Sequence, residues 1–499
     1  MIQSHLVRST VVIGGGLAGL SAAIEAAHLG AAVTVLEKEA RTGGNSAKAS
    51  SGMNVSPSTI QSTLGINDSV DKFVTDTLAA GKHKADPVLV SILAQQSVDA
   101  WKFLERHGIL LDEVSMCGGH SVPRTHREKE VDGKPKAVGW DIMRALQTHV
   151  SSLSPNASAT QPTLRNNEPN TIKVITGARA TKLVGEKGRR VTGVLFDYAT
   201  TGTCHELIAD SVILATGGYA ADTASKDGGE SLIQEYAPQY VKLATTNGPW
   251  ATGDGVKLGM EFGAVAADLD QVQIHPTGFV DPKDPDAAVK ILAPESLRAY
   301  GALLVDLKTS KRFVNELTTR DAVSQAILGL NPENNRKKDG GNAVTMTTPT
   351  TVLMLMNQFV VSSYGAAAIG FYQKRGLVNK FESLQQLAEH YGLDAVVLEQ
   401  QVCNQGKDVF GKTTIPTQFQ ANEDIYAALI TPVRHYTMGG LRITSSAQAI
   451  TAAHEPIANL YCCGEVSCGV DGWNRLAGNS LLSSVVFGRI AGVNAVEQL

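Results

Sequence analysis

The residues of this chain whose spacing first implies chemistry are Gly14-x-Gly16-x-x-Gly19 and, further on, Glu37. In such a pattern the first glycine makes a tight turn, the second lets a pyrophosphate reach the backbone, and the third lets a helix approach a strand closely. The N–H groups and positive dipole end of the following helix attract phosphate. Glu37 can accept both ribose hydroxyl hydrogens, which disfavours a phosphorylated ribose. The chemistry implied is therefore dinucleotide binding, and the pattern alone leaves NAD and FAD open. Two later segments select FAD. Ala215-Thr216-Gly217-Gly218 closes one strand, and Leu460-Tyr461-Cys462-Cys463-Gly464-Glu465 closes another, with an acid where a ribityl chain needs an acceptor.

These residues need a strand–turn–helix–strand frame, and the sequence supplies one. Ser9–Ile13 is β-rich, Leu20–Leu29 is an alanine-rich helix, and Ala31–Leu36 reads as a second buried strand. Helices are expected over Lys72–Ala80, over Pro87–His107, near Leu384, near Tyr426 and from Ser480 onward; the polar runs Ser151–Asn170 and Asn334–Gly341 read as loops. The texture turns polar near Gln271 and reverts near His435, as if one domain were inserted in another. A chain of 499 residues exceeds one compact core, and 43% hydrophobic with 18% charged residues is an ordinary globular composition. The net charge of −4 offers no basic surface for nucleic acid or membrane. Six scattered cysteines without a CxxC pair spell out no metal or iron–sulfur site, and no CxxCH attaches a haem. The most apolar stretch, Val11–Leu36, is interrupted by Glu25, His28 and glycines, so it is not a membrane span. A soluble protein of a reducing intracellular compartment, cytoplasm or organelle matrix, is the expectation.

Seven further segments bear on the rest of the site. They are Gly43-Gly44-Asn45-Ser46, Ser50-Ser51-Gly52-Met53-Asn54, Thr252-Gly253-Asp254-Gly255, His275-Pro276-Thr277-Gly278, Thr318-Thr319-Arg320-Asp321, His435-Tyr436-Thr437-Met438-Gly439-Gly440 and Asn474-Arg475-Leu476-Ala477-Gly478-Asn479-Ser480. In this order the chain resembles the succinate dehydrogenase/fumarate reductase flavoproteins, and most of all the soluble, FAD-dependent fumarate reductases, from Val11 to Ala491. The resemblance implies an α/β fold: a Rossmann-like FAD-binding domain of the two-dinucleotide-binding type, residues 1–270 and 435–499, interrupted by an α+β capping domain, 271–434. It implies that Gly14, Gly16, Ala18, Gly19, Glu37 and Lys38 hold the adenosine and diphosphate, with Ala180 against adenine. Gly44, Asn45, Ser46, Ser51 and Gly52 would lie along the flavin, and Thr216, Gly217, Asp254, Glu465, Ser480 and Leu481 would complete the cradle. Membrane-bound relatives tether FAD through a histidine; Ser46 stands in that place, so FAD is expected to be non-covalent.

Reducing a carbon–carbon double bond between carboxylates needs a hydride donor, cations for the dianion, and a proton donor on the opposite face. By the resemblance, Arg475 and His435 take one carboxylate, His275 the other, and Gly52 lines the substrate. Arg320 would be the proton donor, recharged through Glu295 and Arg298. Taken singly, each histidine is as readily structural, Arg320 beside Asp321 an ion pair at a helix start, and Arg475 a solvated loop charge; the ordered set reverses that reading. An arginine is an unusual acid, since it normally stays protonated, so its role here comes from the family. Pro294 stands where many relatives have a substrate-binding threonine, and Ala477 replaces a glycine. The expected activity is fumarate reduction to succinate, with an L-aspartate oxidase or another unsaturated-acid reductase or desaturase as the alternatives. A flavin-binding sensor is disfavoured by the intact Arg320, Glu295 and Arg298. Electrons would come from a soluble donor or from a donor domain outside this chain.

Overall fold

A computed structural model describes residues 7–129, 136–155, 166–223, 231–335, 349–403, 408–412 and 415–498. Its larger sheet has nine strands. Five of them run parallel, in the order Thr171–Thr176, Ala32–Glu37, Ser9–Ile13, Ser211–Leu214, Pro456–Cys462. Ser9–Ile13 and Ala32–Glu37 are buried along their whole length, as a sheet covered on both faces requires. An antiparallel meander, Ala178–Glu186, Arg190–Tyr198 and Cys204–Ile208, extends one side. On one face the helix Leu17–His28 lies against the helix Asn479–Glu497. Their backbones meet through glycine: a Cβ on Gly488 would sit 2.6 Å from the Ala18 carbonyl oxygen, and one on Gly492 would sit 2.4 Å from that of Ala22.

The second sheet is antiparallel, in the order Val272–Phe279, Ile425–Thr437, Val352–Asn357, Leu303–Val305, with Asn379–Phe381 also paired to Ile425–Thr437. It has its own apolar clusters, one around Phe279, Leu304, Met354 and Ile430, another around Leu303, Leu355, Leu384 and Leu398. All of its strands come from residues between Val272 and Thr437.

Two sequence expectations change. Tyr426 is in a strand, not a helix: the Ala-Ala-Leu run favours helix, but pairing with Val352–Asn357 on one side and Asn379–Phe381 on the other overrides it. Pro87–His107 is two helices, Pro87–Gln95 and Ser97–Arg106, hinged at Gln96. Helices at Leu384–Tyr391, Val70–Ala80 and Asn479–Glu497 match expectation. Of the two expected loops, residues 156–165 and 336–341 lie outside the described residues, and their first residues are helical instead: Ser151 and Ser152 end the helix Val138–Ser152, and Asn334 and Asn335 end a short helical turn, Pro332–Asn335.

The segment from Cys117 to His126 supports the site from below. His126 donates through Nδ1 to the Arg124 carbonyl (2.8 Å) and meets Ser58 Oγ at 2.7 Å; His120 Nε2 lies 3.0 Å from the Ala477 carbonyl. Burial pushes both histidines down to about 4. The unfolded chain therefore takes up protons that the folded one refuses, and stability should fall as pH drops from the ordinary histidine range toward 4. Each histidine contributes a slope of up to about 1.4 kcal/mol per pH unit. Urea unfolding at neutral and mildly acid pH checks this; His126→Gln should flatten the dependence.

Candidate active site

The C-terminal ends of the parallel strands converge on one cavity of about 490 Å³, the position at which such sheets bind ligands. Gly14, Glu37, Ala215 and Cys463, which follow or end four of these strands, all line it. The three fingerprint glycines differ in their surroundings. Gly14 has φ +108°, and a Cβ there would fall 2.4 Å from the Ala215 carbonyl oxygen. A Cβ on Gly19 would fall 1.9 Å from the Gly14 carbonyl oxygen, so this glycine serves packing and does not line the cavity. Gly16, by contrast, meets nothing closer than Ser46 Oγ at 3.7 Å and leaves its backbone open to the cavity at the start of the helix Leu17–His28.

Glu37 is positioned by accepting the Gly15 N–H (2.8 Å) and the Glu39 N–H (2.9 Å), and burial pushes its carboxyl up. Lys38 donates to Thr252 (2.7 Å) and pairs with Asp254 (2.9 Å), which closes this end of the cavity beside Ala180. Thr216 Oγ1 accepts the Gly255 N–H at 3.1 Å, and Gly217 turns the chain at φ +74°. Along the other wall, Ser46 Oγ accepts the Leu17 N–H (3.2 Å), while Asn45 bonds Asn247 and the Gly248 N–H. Gly44, Ser51 and Gly52 continue that wall, and Ala18 lies beneath it. A second helix, Asn479–Glu497, starts at the cavity with Ser480 and Leu481, after Gly478 at φ +81°. Glu465 accepts the Thr437 N–H (2.9 Å) and hydroxyl (3.1 Å), and burial raises it to about 7. An open glycine between two helix N-termini, with an acid at each end, fits a dinucleotide carrying a flavin.

At the far end the lining turns cationic. Arg475 is buried, lies 4.4 Å over the Tyr436 ring, and makes no salt bridge among the described residues, with Asp471 and Glu465 acting on it only through the field; its Nε carries no hydrogen bond. Burial, then Arg320, pushes it down to about 10. Arg320 opens the helix Arg320–Gly329; its Nε bonds Glu295, and its Nη1 donates to Gln273 Oε1 at 3.0 Å. Glu295 also accepts the Gly118 N–H (3.2 Å) and has Arg298 at 3.6 Å. Burial works to raise the Glu295 carboxyl, but Arg320 and Arg298 outweigh it and hold it below the usual range. Burial lowers Arg298, whose Nε and Nη2 have no hydrogen-bond partner.

The histidines behave differently from cations. His435 lines the cavity and meets Thr246 Oγ1 through Nδ1 at 2.7 Å; burial, with Arg320 and Arg475 nearby, holds it well below the ordinary histidine range. His275 accepts the Thr277 N–H at Nδ1 (3.2 Å), so its proton sits on Nε2, which has no hydrogen-bond partner and lies 3.9 Å from Glu295. His275 is fully buried and likewise held neutral, chiefly by burial. Arg320, Arg475, His435 and Gly52 line the cavity; Glu295, Arg298 and His275 form a layer behind Arg320.

A family model described as "FAD binding domain" matches residues 9–481. Two relatives are the "Fumarate reductase" of Schizosaccharomyces pombe, 35% identical over 97% of this chain and 88% of its own length, and "Fumarate reductase 1" of Saccharomyces cerevisiae, 36% identical over 96% and 97%. The chain belongs to the fumarate reductase/succinate dehydrogenase flavoproteins. A solved structure of the open conformation of a flavocytochrome c3 fumarate reductase superposes with TM-score 0.73 at 31% identity, covering 99% of this chain and 79% of that one. The α/β FAD-binding fold expected from the sequence is thus the fold observed, and this flavoprotein is an FAD-dependent oxidoreductase. No helix among the described residues is long and apolar enough to cross a membrane.

Several residues in and behind this flavoprotein's cavity are not legible as site residues. Gln273 ties the two arginines together: it accepts from Arg320 and donates to the Arg475 carbonyl (3.0 Å) and to Asn474 (3.1 Å). Its one signal is a polar side chain inside a fully buried strand, two residues before His275. Lys48 donates to the Thr246 carbonyl, and Asn247 donates to the His435 carbonyl at 2.6 Å. These contacts join segments about two hundred residues apart, and no local pattern announces them.

Proposed function

We propose that this flavoprotein reduces fumarate to succinate. The observation that carries the proposal is the pair of buried guanidiniums, Arg320 and Arg475, at one end of the cavity, Arg475 making no salt bridge among the described residues. When bound, FAD supplies the hydride, and the remaining work belongs to the chain. Arg475 would take one carboxylate of the substrate through its planar fork. With His435 and His275 held neutral, the charge that binds the dianion falls on the arginines; His435, which lines the cavity, would add a polar contact, while His275 stands behind Arg320. These fixed donors also favour negative charge developing on the alkene carbon during reduction.

Arg320 would give its proton to that carbon. The geometry supports this role through Glu295, which contacts the Arg320 Nε directly and is in position to return a proton. Residues 271–434 would serve as the cap that excludes water from this chamber. FAD would be held without a covalent bond, since Ser46 offers no ring nitrogen and hydrogen-bonds the helix backbone. Reducing equivalents would come from a soluble donor or a donor domain outside this chain.

The test is anaerobic. The holoprotein is reduced with dithionite, and unsaturated acids are added one at a time. Fumarate should restore the oxidised flavin spectrum and yield succinate, whereas acrylate and a ketosteroid should not. Denaturation should release the flavin into the supernatant. Peroxide formed in air from aspartate, with no response to fumarate, would replace this reading with an amino-acid oxidase.

A further inference from the structure

Away from the cavity, three helices finish at one place on the surface. Leu17–His28 ends at His28, Ser97–Arg106 ends one residue before His107, and His149 occupies the last turn of Val138–Ser152. Each helix end carries unsatisfied carbonyls and partial negative charge, which favours a cation. The Nε2 atoms of His28 and His149 face one another at 3.4 Å, with the rings 70° apart in plane. That separation is long for an N–H···N hydrogen bond. It matches two nitrogens that share a tetrahedral metal ion, since bonds of about 2.0–2.1 Å at the tetrahedral angle place the nitrogens ~3.4 Å apart.

We propose that His28 and His149 form a surface clip for a divalent first-row transition ion of the zinc, nickel or copper type. Imidazole nitrogen suits these ions, and the absence of oxygen donors in the pair disfavours magnesium and calcium. Each ring would offer the lone pair of Nε2 and keep its proton on Nδ1. His107 stands 4.4 Å from His149, centre to centre, but is turned edge-on to Phe103 at 4.7 Å and forms the wall of the clip. Among the described residues no group of three His, Cys, Asp or Glu side chains is arranged to hold an ion, so water completes the coordination and His28, which is exposed, leaves room for it.

The experiment uses the full chain with any affinity tag removed, titrated with zinc chloride and nickel sulfate by isothermal calorimetry. One site is expected in the wild-type protein. His28→Ala and His149→Ala should each weaken it ~10-fold or more, as loss of one of two protein ligands requires, while His107→Phe leaves it nearly unchanged. Far-UV circular dichroism verifies that each variant is folded, and His28→Gln replaces any that is not. Equal binding by the wild type and the His28→Ala/His149→Ala double variant, or no binding by the wild type at ~1 mM metal, overturns the proposal.

Discussion

Arg320→Ala is expected to lower fumarate-dependent turnover by about 10²–10⁴-fold, the range associated with loss of a positioned proton donor. The fall should appear in kcat. KM should rise as well, because Arg320 supplies part of the charge that binds the dianion, but by less than kcat falls, since Arg475 and His435 still line the cavity. The flavin should stay bound, since the cradle from Gly14 to Asp254 lies at the other end. Arg320→Lys separates charge from geometry. It keeps a cation beside Glu295 but loses the fork that reaches both Glu295 and Gln273, so only partial recovery is expected. Stopped-flow reoxidation of the pre-reduced protein reads the step directly. Turnover within a few-fold of wild type would remove Arg320 from the role proposed for it.

The second large effect concerns two glycines three residues apart. Gly19→Ala puts a methyl 1.9 Å from a backbone oxygen that is itself fixed by the turn at Gly14, so strand and helix must separate. The cost should reach or exceed the ~1–3 kcal/mol typical of overpacking, and the protein should be poorly soluble and colourless. Gly16→Ala meets only a side-chain hydroxyl at 3.7 Å. That variant should fold with an unaltered unfolding midpoint as apoprotein, yet bind flavin ~10-fold more weakly or worse, because the new methyl occupies the path of the pyrophosphate. Denaturation and flavin-titration curves of the two variants separate the roles. Similar behaviour of both would mean that Gly16 is a packing glycine too.

The nucleotide half was legible because its determinants are local. A turn glycine, an open glycine and a packing glycine within six residues, then an acid at the end of the next strand, each satisfy a constraint set by neighbours in sequence. The cationic half was legible only as an ordered set of motifs. Nothing local to Arg320 distinguishes a buried guanidinium touching Glu295 from a surface ion pair; the partner is 25 residues away, just before a separate short helix, Ser296–Ala299. Gln273 is hidden for the same reason, and a sequence carries no information about the burial and neighbouring arginines that keep His275 and His435 neutral. Tyr426 shows the limit for secondary structure: a helix-favouring run became the spine of a sheet once strands on either side paired with it.

That spine has a mechanical consequence. Ile425–Thr437 is a single strand of 13 residues whose pairing with Val272–Phe279 bulges at His435, and within it His435 lines the cavity while Thr437, two residues on, is gripped by Glu465. No loop lies between them to absorb a displacement. Whatever seats itself against Glu465 therefore pulls on the same rod that carries the histidine, and loading should be ordered: pigment first, acid second.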